Sequence, residues 1–325
     1  MVSWDRATPG RQGGRVACRS IAYATVVVGL AGLATLGVQW IFFSRAAEAA
    51  RPALIRKGGG ELIICGGGRL PETILDTFLE HAGGREARIV VIPTAHVRAD
   101  DPGEQWGLAL WRAKGVASLT RLHTRSRAQA NDPEFCRPLA EATGVWIGGG
   151  MQISLTDAYL GTEVERQLKA LLARGGVIGG TSAGAAVMTR VMIADGRNQA
   201  VLARGFDFLP GAVVDQHFLR RNRARRLLGV VASHRDLIGF GIDEGTTLVV
   251  TPRTGRLRVL GDSYVLACIA DGPTGGTRFE FLKAGDETDL VGLRRPDGVI
   301  ACPIDLEDSE TDLSTGGEIG GSIKS

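Results

Sequence analysis

The stretch VIGGTSAGAAVMTR, residues 177–190, runs apolar, stops on glycines, shows one serine, and restarts with small helix-forming residues. An apolar run of this length reads as a buried strand, and the restart reads as a helix packed against it. Ser182 therefore sits on a strand-to-helix turn. Gly180-Thr181-Ser182-Ala183-Gly184 fits GxSxG, the spacing of a nucleophile elbow, in which small neighbours let a serine stand exposed on a strained turn. The same five residues also suit a plain glycine-rich strand end whose serine caps a helix. The rest of the chain has to choose.

Working outward, strands and helices alternate from Glu61 onward. ELIICGGG reads as a strand ending on glycines, and PETILDTFLEHAGG as a helix with a proline start and a glycine stop. ARIVVIPTA, SLTRLH and GVWIGGG read as further strands, with a helix around 106–114 and a continuous helix over 156–174 between them. Uninterrupted apolar strands separated by helices imply an α/β fold, a parallel sheet with helices on both faces. Ligands in such sheets lie beyond the carboxyl ends of the strands. The glycine triplets at 66–68 and 148–150 fall at such ends, as does Ser182. After about residue 245, TTLVVT, RLRVLG and SYVLACIA read as short antiparallel strands.

The chain has 325 residues, a net charge of +3, five cysteines without CxxC spacing and five histidines. These values argue against a nucleic-acid partner, a disulfide framework or a zinc site. Cys65 reads as core. Residues 21–43 carry no charge; about 23 residues span roughly 34 Å as a helix, enough to cross a bilayer. Arginines precede this segment, and Trp40, Phe42 and Phe43 lie at its far end. The expected division is a basic cytoplasmic stretch 1–20, a signal anchor or signal peptide 21–43, a linker 44–60, a catalytic domain 61–304 and an acidic, disordered tail 305–325. The domain is expected outside the cytoplasm, membrane-anchored or secreted. Arg45, Arg51, Arg56 and Lys57 pull against that orientation, and AAEAA at 46–50 offers a cleavage site.

A serine nucleophile needs a base. His81, His123 and His234 read as surface residues and His96 as a loop residue. His217 lies in PGAVVDQHFLRRNRARRLLGVV, where Asp215, Gln216 and His217 crowd a strand-to-helix junction. GGTSAGAAVM, PGAVVDQHFLRRNRARRLL and IGFGIDEGTTLVV together resemble cyanophycinase and its relatives in peptidase family S51, which also holds the aspartyl dipeptidase peptidase E. WIGGGMQISLTDAYLGT resembles the family's glycine-rich segment. The likeness spans roughly residues 60–270. It implies a flavodoxin-like sandwich related to class I glutaminases, no cofactor and no metal. It makes Ser182 the nucleophile and His217 the base. Glu244 in GIDEG and Asp195 in MIADG both remain candidates for the acid, Glu244 preferred. The oxyanion would meet the N–H of Ala183 and an N–H from the loop of Gly149 and Gly150. Gln152, Asp215, Gln216, Arg221, Arg223 and Arg226 would hold substrate, since guanidinium groups bind carboxylates in a planar fork. The bland reading of the arginines is a solvated basic helix.

The resemblance implies hydrolysis of aspartyl or β-aspartyl-arginine peptides through an acyl-enzyme, with an acidic or β-aspartyl peptide as partner and a second copy of the chain as a candidate one. Two positions depart from the family pattern. Met151 stands where an acid or amide is common, and Gln152 is followed by Ile153-Ser154 without a basic residue. The alternatives are a membrane-anchored aspartyl dipeptidase of the peptidase E kind, an α/β-hydrolase esterase, and a silent module that binds acidic peptides.

Overall fold

The computed structural model describes residues 60–101, 107–272 and 275–295. The segment 21–43 and the tail 305–325 lie outside them. Among the described residues no helix is long and apolar enough to cross a membrane.

The chain runs β1 (Glu61–Cys65), α1 (Glu72–His81), β2 (Arg88–Ile92), α2 (Leu108–Ala113), β3 (Ser118–Arg121), α3 (Pro133–Glu141), β4 (Gly144–Ile147), α4 (Gln152–Tyr159), α5 (Glu163–Ala173) and β5 (Val177–Thr181). It continues with α6 (Ala183–Ala186), β6 (Val191–Asp195), β7 (Val201–Arg204), β8 (Ala212–Gln216), α7 (Ala224–Ser233), β9 (Ile238–Ile242), β10 (Thr246–Thr251), β11 (Arg256–Gly261), β12 (Tyr264–Ala270), β13 (Thr277–Lys283) and β14 (Glu287–Asp289). The main sheet has the order β14-β11-β10-β1-β5-β4-β2-β3. Its half from β1 to β3 is parallel, and β10, β11 and β14 extend it antiparallel. A second sheet has the order β13-β12-β9-β8, with β8 and β9 parallel; β6 and β7 form a separate hairpin.

Side chains alternate across a strand, so each parallel strand feeds two cores. Leu62, Ile64, Val90, Ile92, Val145, Ile147 and Ile178 enter one. Ile63, Cys65, Ile89, Val91, Trp146 and Val177 enter the other, where Phe78, Trp111 and Trp146 meet at ring distances of 4.9–5.3 Å. That double burial is why these strands read as continuous apolar runs. The α/β reading and the antiparallel C-terminal strands both hold. One helix does not. The continuous helix expected over 156–174 is two, α4 and α5, broken at Gly161 (φ 75°) and restarted at Thr162, whose backbone is extended. Helical spacing persists across the break, which hides it from a periodicity argument.

Register then brings the glycine-rich ends together. Cys65 pairs with Thr181 and Ile147 with Gly180, so the turns after β1, β5 and β4 lie side by side. In the second sheet Gln216 pairs with Ile242, which sets His217 beside the Asp243-Glu244 turn.

Candidate active site

Ser182 follows β5 with φ 53° and ψ −111°, a left-handed conformation that a non-glycine residue seldom adopts. The turn is tight on both flanks. A Cβ on Gly180 would lie 2.4 Å from the Gly184 carbonyl oxygen, and one on Gly184 would lie 2.2 Å from that of Ile147. GxSxG is thus required by backbone contact around the serine. Ser182 N–H donates to the Cys65 carbonyl at 3.1 Å, tying the turn to β1. Burial pushes the Cys65 thiol up to about 12, so it stays a neutral core group.

The Ser182 hydroxyl lies 2.8 Å from His217 Nε2, and His217 Nδ1 lies 2.6 Å from Glu244 Oε1. His217 also has positive φ, 50°. Two strained residues facing each other are what a functional constraint leaves behind. The imidazole is nearly buried and the Glu244 carboxylate one-third exposed. A carboxylate accepts from Nδ1–H, which leaves Nε2 free to accept from the serine. Burial holds His217 below its ordinary pKa; Glu244 opposes this, and Arg221 and Arg223 add to the lowering.

The glycines at 66–68 make room for this pair. His217 N–H donates to the Gly66 carbonyl at 2.7 Å, and a Cβ on Gly67 would lie 2.4 Å from the imidazole Cε1. Asp243, unassigned from sequence, braces the same region: it accepts from Arg220 N–H at 2.9 Å and from the Ser263 hydroxyl at 3.0 Å. Its only signal was its place beside Glu244.

Gly149 flanks the serine, with a built Cβ 3.4 Å from that of Ser182. Ala183 begins α6. Among the described residues neither N–H has a backbone acceptor, so both remain available to a developing oxyanion. Gly150, at φ 138°, packs against the Ala95 carbonyl, and its N–H likewise has no backbone acceptor among the described residues.

The other assigned residues divide. Asp195 lies exposed at the end of β6, and its carboxylate accepts from the N–H of Gly196 at 2.7 Å. It does not meet His217. Gln152 turns its amide to the carbonyls of Ile193 and Ala194, at 2.9 and 2.7 Å, and so ties α4 to β6. Asp215 and Arg226 correct the expectation that both meet substrate. Asp215 is 0% and Arg226 3% exposed, and each satisfies the other in a two-pronged pair. Arg226 also donates to the Gly196 carbonyl. Gln216 is buried as well, and its side-chain and main-chain oxygens accept from Arg223 at 2.9 and 2.6 Å. Burial pushes the Asp215 carboxyl up, against the pull of Arg226 and Arg223. Arg221 is exposed beside His217, with its N–H on the His217 carbonyl. Arg223, which precedes the first turn of α7, and Arg226, inside it, share one partner, Asp215.

Breaking a buried ion pair leaves one charge uncompensated, which costs roughly 3–5 kcal/mol. Arg226→Met is expected to lower unfolding stability by that order in urea titration. Arg221→Gln is expected to change it by less than about 0.5 kcal/mol. Equal stability of the Arg226 variant and wild type would show that Asp215 is not held as an ion.

Of the histidines read as surface groups, His123 is not one: its side chain is 7% exposed. His81 pairs with Glu61, and His234 caps the end of α7. Among the described residues no group of three or more His, Cys, Asp or Glu side chains is placed to hold a metal ion.

The model of peptidase family S51 matches residues 62–258. A cyanophycinase of Synechococcus elongatus is 39% identical over 200 residues, covering 59% of this chain and 62% of that protein. A cyanophycinase of Trichormus variabilis is 35% identical over 230 residues, covering 68% of this chain and 74% of its own. The crystal structure of a peptidase from an acI-B1 Actinobacterium superposes with a TM-score of 0.53 at 24% identity, over 72% of this chain and 98% of that one, which supports the fold.

Proposed function

Given that the chain belongs to peptidase family S51, we propose that it is a serine peptidase acting on aspartyl or β-aspartyl peptides through an acyl-enzyme. The observation that carries this reading is the aligned Ser182–His217–Glu244 chain, 2.8 and 2.6 Å at its two links. Ser182 Oγ attacks the scissile carbonyl while His217 Nε2 takes its proton. Glu244 holds the imidazole in the tautomer that can accept. The N–H groups of Ala183 and Gly149 receive the oxyanion. His217 then returns the proton to the leaving amine, and water, activated the same way, releases the acyl group.

Two of the relatives are cyanophycinases, which supports a polymer of β-aspartyl-arginine as one substrate. Each unit of such a polymer offers a free carboxylate, and Arg221 is the exposed arginine beside the base. An α/β-hydrolase esterase orders its residues Ser, acid, His; here the order is Ser182, His217, Glu244. A silent binding module is separated by labelling with a serine-directed phosphonate.

Incubating the protein with a panel of aspartyl and β-aspartyl peptides and polymers tests the reading. No turnover of any of them by phosphonate-reactive protein would remove the substrate class. With the best peptide, Arg221→Gln is expected to raise KM about tenfold or more, as a charge-assisted contact is lost. It also removes a positive neighbour that depresses His217. The acid limb of kcat/KM is therefore expected below about pH 6.5 in wild type and displaced upward in the variant. An unmoved limb would detach Arg221 from the site.

The segment 21–43 supports a catalytic domain outside the cytoplasm, anchored or released. A reporter fused after residue 60 and active only in the cytoplasm would overturn this.

A further inference from the structure

A second hydroxyl–imidazole–carboxylate chain lies beside the first. Thr94 Oγ1 is 2.9 Å from His123 Nδ1, and His123 Nε2 is 2.9 Å from Asp100 Oδ1. Tyr159, the last residue of α4, places its hydroxyl 2.7 Å from Thr94 Oγ1 and accepts from Thr124 N–H at 3.1 Å. Arg125 Nε donates to the other Asp100 oxygen at 2.6 Å. Thr94 is 0% exposed, which bars it from attacking a substrate. This chain is not a second nucleophile.

Its donors and acceptors can be ordered. Asp100 accepts, so Nε2 carries the proton. In the neutral ring Nδ1 then accepts from the Thr94 hydroxyl, and Thr94 Oγ1 accepts from Tyr159. The side chains of Thr94, Tyr159 and His123 are buried with their polar atoms satisfied, a condition that fixes geometry, and Asp100 closes the row at the surface. Burial lowers the His123 pKa, with Asp100 opposing, in keeping with the neutral ring.

What the row holds is the segment after β2. Ile92 accepts from Gly148 N–H at 2.9 Å, and Ala95, next to Thr94, accepts from Met151 N–H at 2.8 Å. These two bonds bracket Gly149 and Gly150. The fit is close, since a Cβ on Gly150 would lie 2.1 Å from the Ala95 oxygen. A shift of Thr94 therefore carries Ala95 and, through it, Gly149.

We infer that His123 is a positioning residue for the oxyanion loop: through Thr94 and Ala95 it sets the N–H of Gly149 against Ser182. This rests on the reading of Ser182 as an acylated nucleophile with Gly149 as an oxyanion donor. Losing one such donor lowers kcat by about 10²–10³-fold. Displacing it is expected to cost about 10–100-fold.

The test compares full-chain wild type with His123→Ala, His123→Asn and Thr94→Val. The readouts are kcat, KM, thermal midpoint, and affinity for a peptide boronic acid, whose tetrahedral adduct puts an oxygen where the oxyanion forms. His123→Ala is expected to lower kcat about 10–100-fold, to leave KM within about threefold, and to weaken boronate binding in proportion to kcat/KM. His123→Asn keeps an acceptor near Nδ1 and is expected to recover most of the loss. Thr94→Val removes the hydroxyl at nearly constant volume and stands in if His123→Ala does not fold. A folded His123→Ala or Thr94→Val protein with wild-type kcat and boronate affinity overturns the proposal, whatever its thermal midpoint. Wild type that forms no adduct at Ser182 with a fluorophosphonate overturns the nucleophile reading itself, and the proposal with it.

Discussion

Ser182→Ala is expected to lower kcat by about 10⁴-fold or more while the protein stays folded. The serine is the group that would form the covalent bond, and removing the nucleophile of such a unit leaves only what the oxyanion site and substrate binding supply. Folding should tolerate the change. The strain at φ 53° lies in the backbone and is the same for alanine, and the flanking contacts involve Gly180 and Gly184 rather than the hydroxyl. The measurement is steady-state turnover on the best acidic peptide beside thermal unfolding of both proteins. A folded alanine variant that keeps turnover within tenfold of wild type would show that another group carries the chemistry.

The second large effect is expected at Glu244. Glutamine there keeps the volume but can donate to His217 Nδ1 through its amide. The imidazole proton then moves to Nε2, the nitrogen that has to accept from Ser182. A tautomer error of this kind costs up to about 10⁴-fold in kcat, and a loss of at least a hundredfold is expected. Asp195→Asn is expected to stay within about twofold, since that carboxylate accepts from its neighbour Gly196 at a strand end. Measured kcat in the reverse order would move the acid to Asp195.

Much of the architecture was legible because it rests on local pattern. Continuous apolar runs of about five residues ending on glycine mark parallel strands buried on both faces. A GxSxG sequence at such an end already implies a turn with no room for side chains beside the serine. The Asp-Gln-His-Phe run set His217 apart, because three polar groups crowd the end of a buried strand and because the run resembles the family's own. The break at Gly161 was not legible, because two helices can keep one apolar phase.

Partner choice was not local. Glu244 and Asp195 each close an apolar run and precede a glycine, so local pattern prefers Glu244 without deciding between them. The parallel pairing of β8 with β9 decides, by setting the turn after one beside the turn after the other. Arginine content likewise said nothing about where each guanidinium goes. Arg226 and Asp215 vanish into each other because charges shut away from water need partners, whereas Arg221, five residues earlier, stays exposed. His123 looked like a strand-end surface residue, and its true partners lie 29 and 23 residues away. The sequence by itself determined the kinds of element and the chemistry carried at their ends. Only the tertiary structure decided which of those groups meet, because strand register and packing fix long-range contacts that no short window contains.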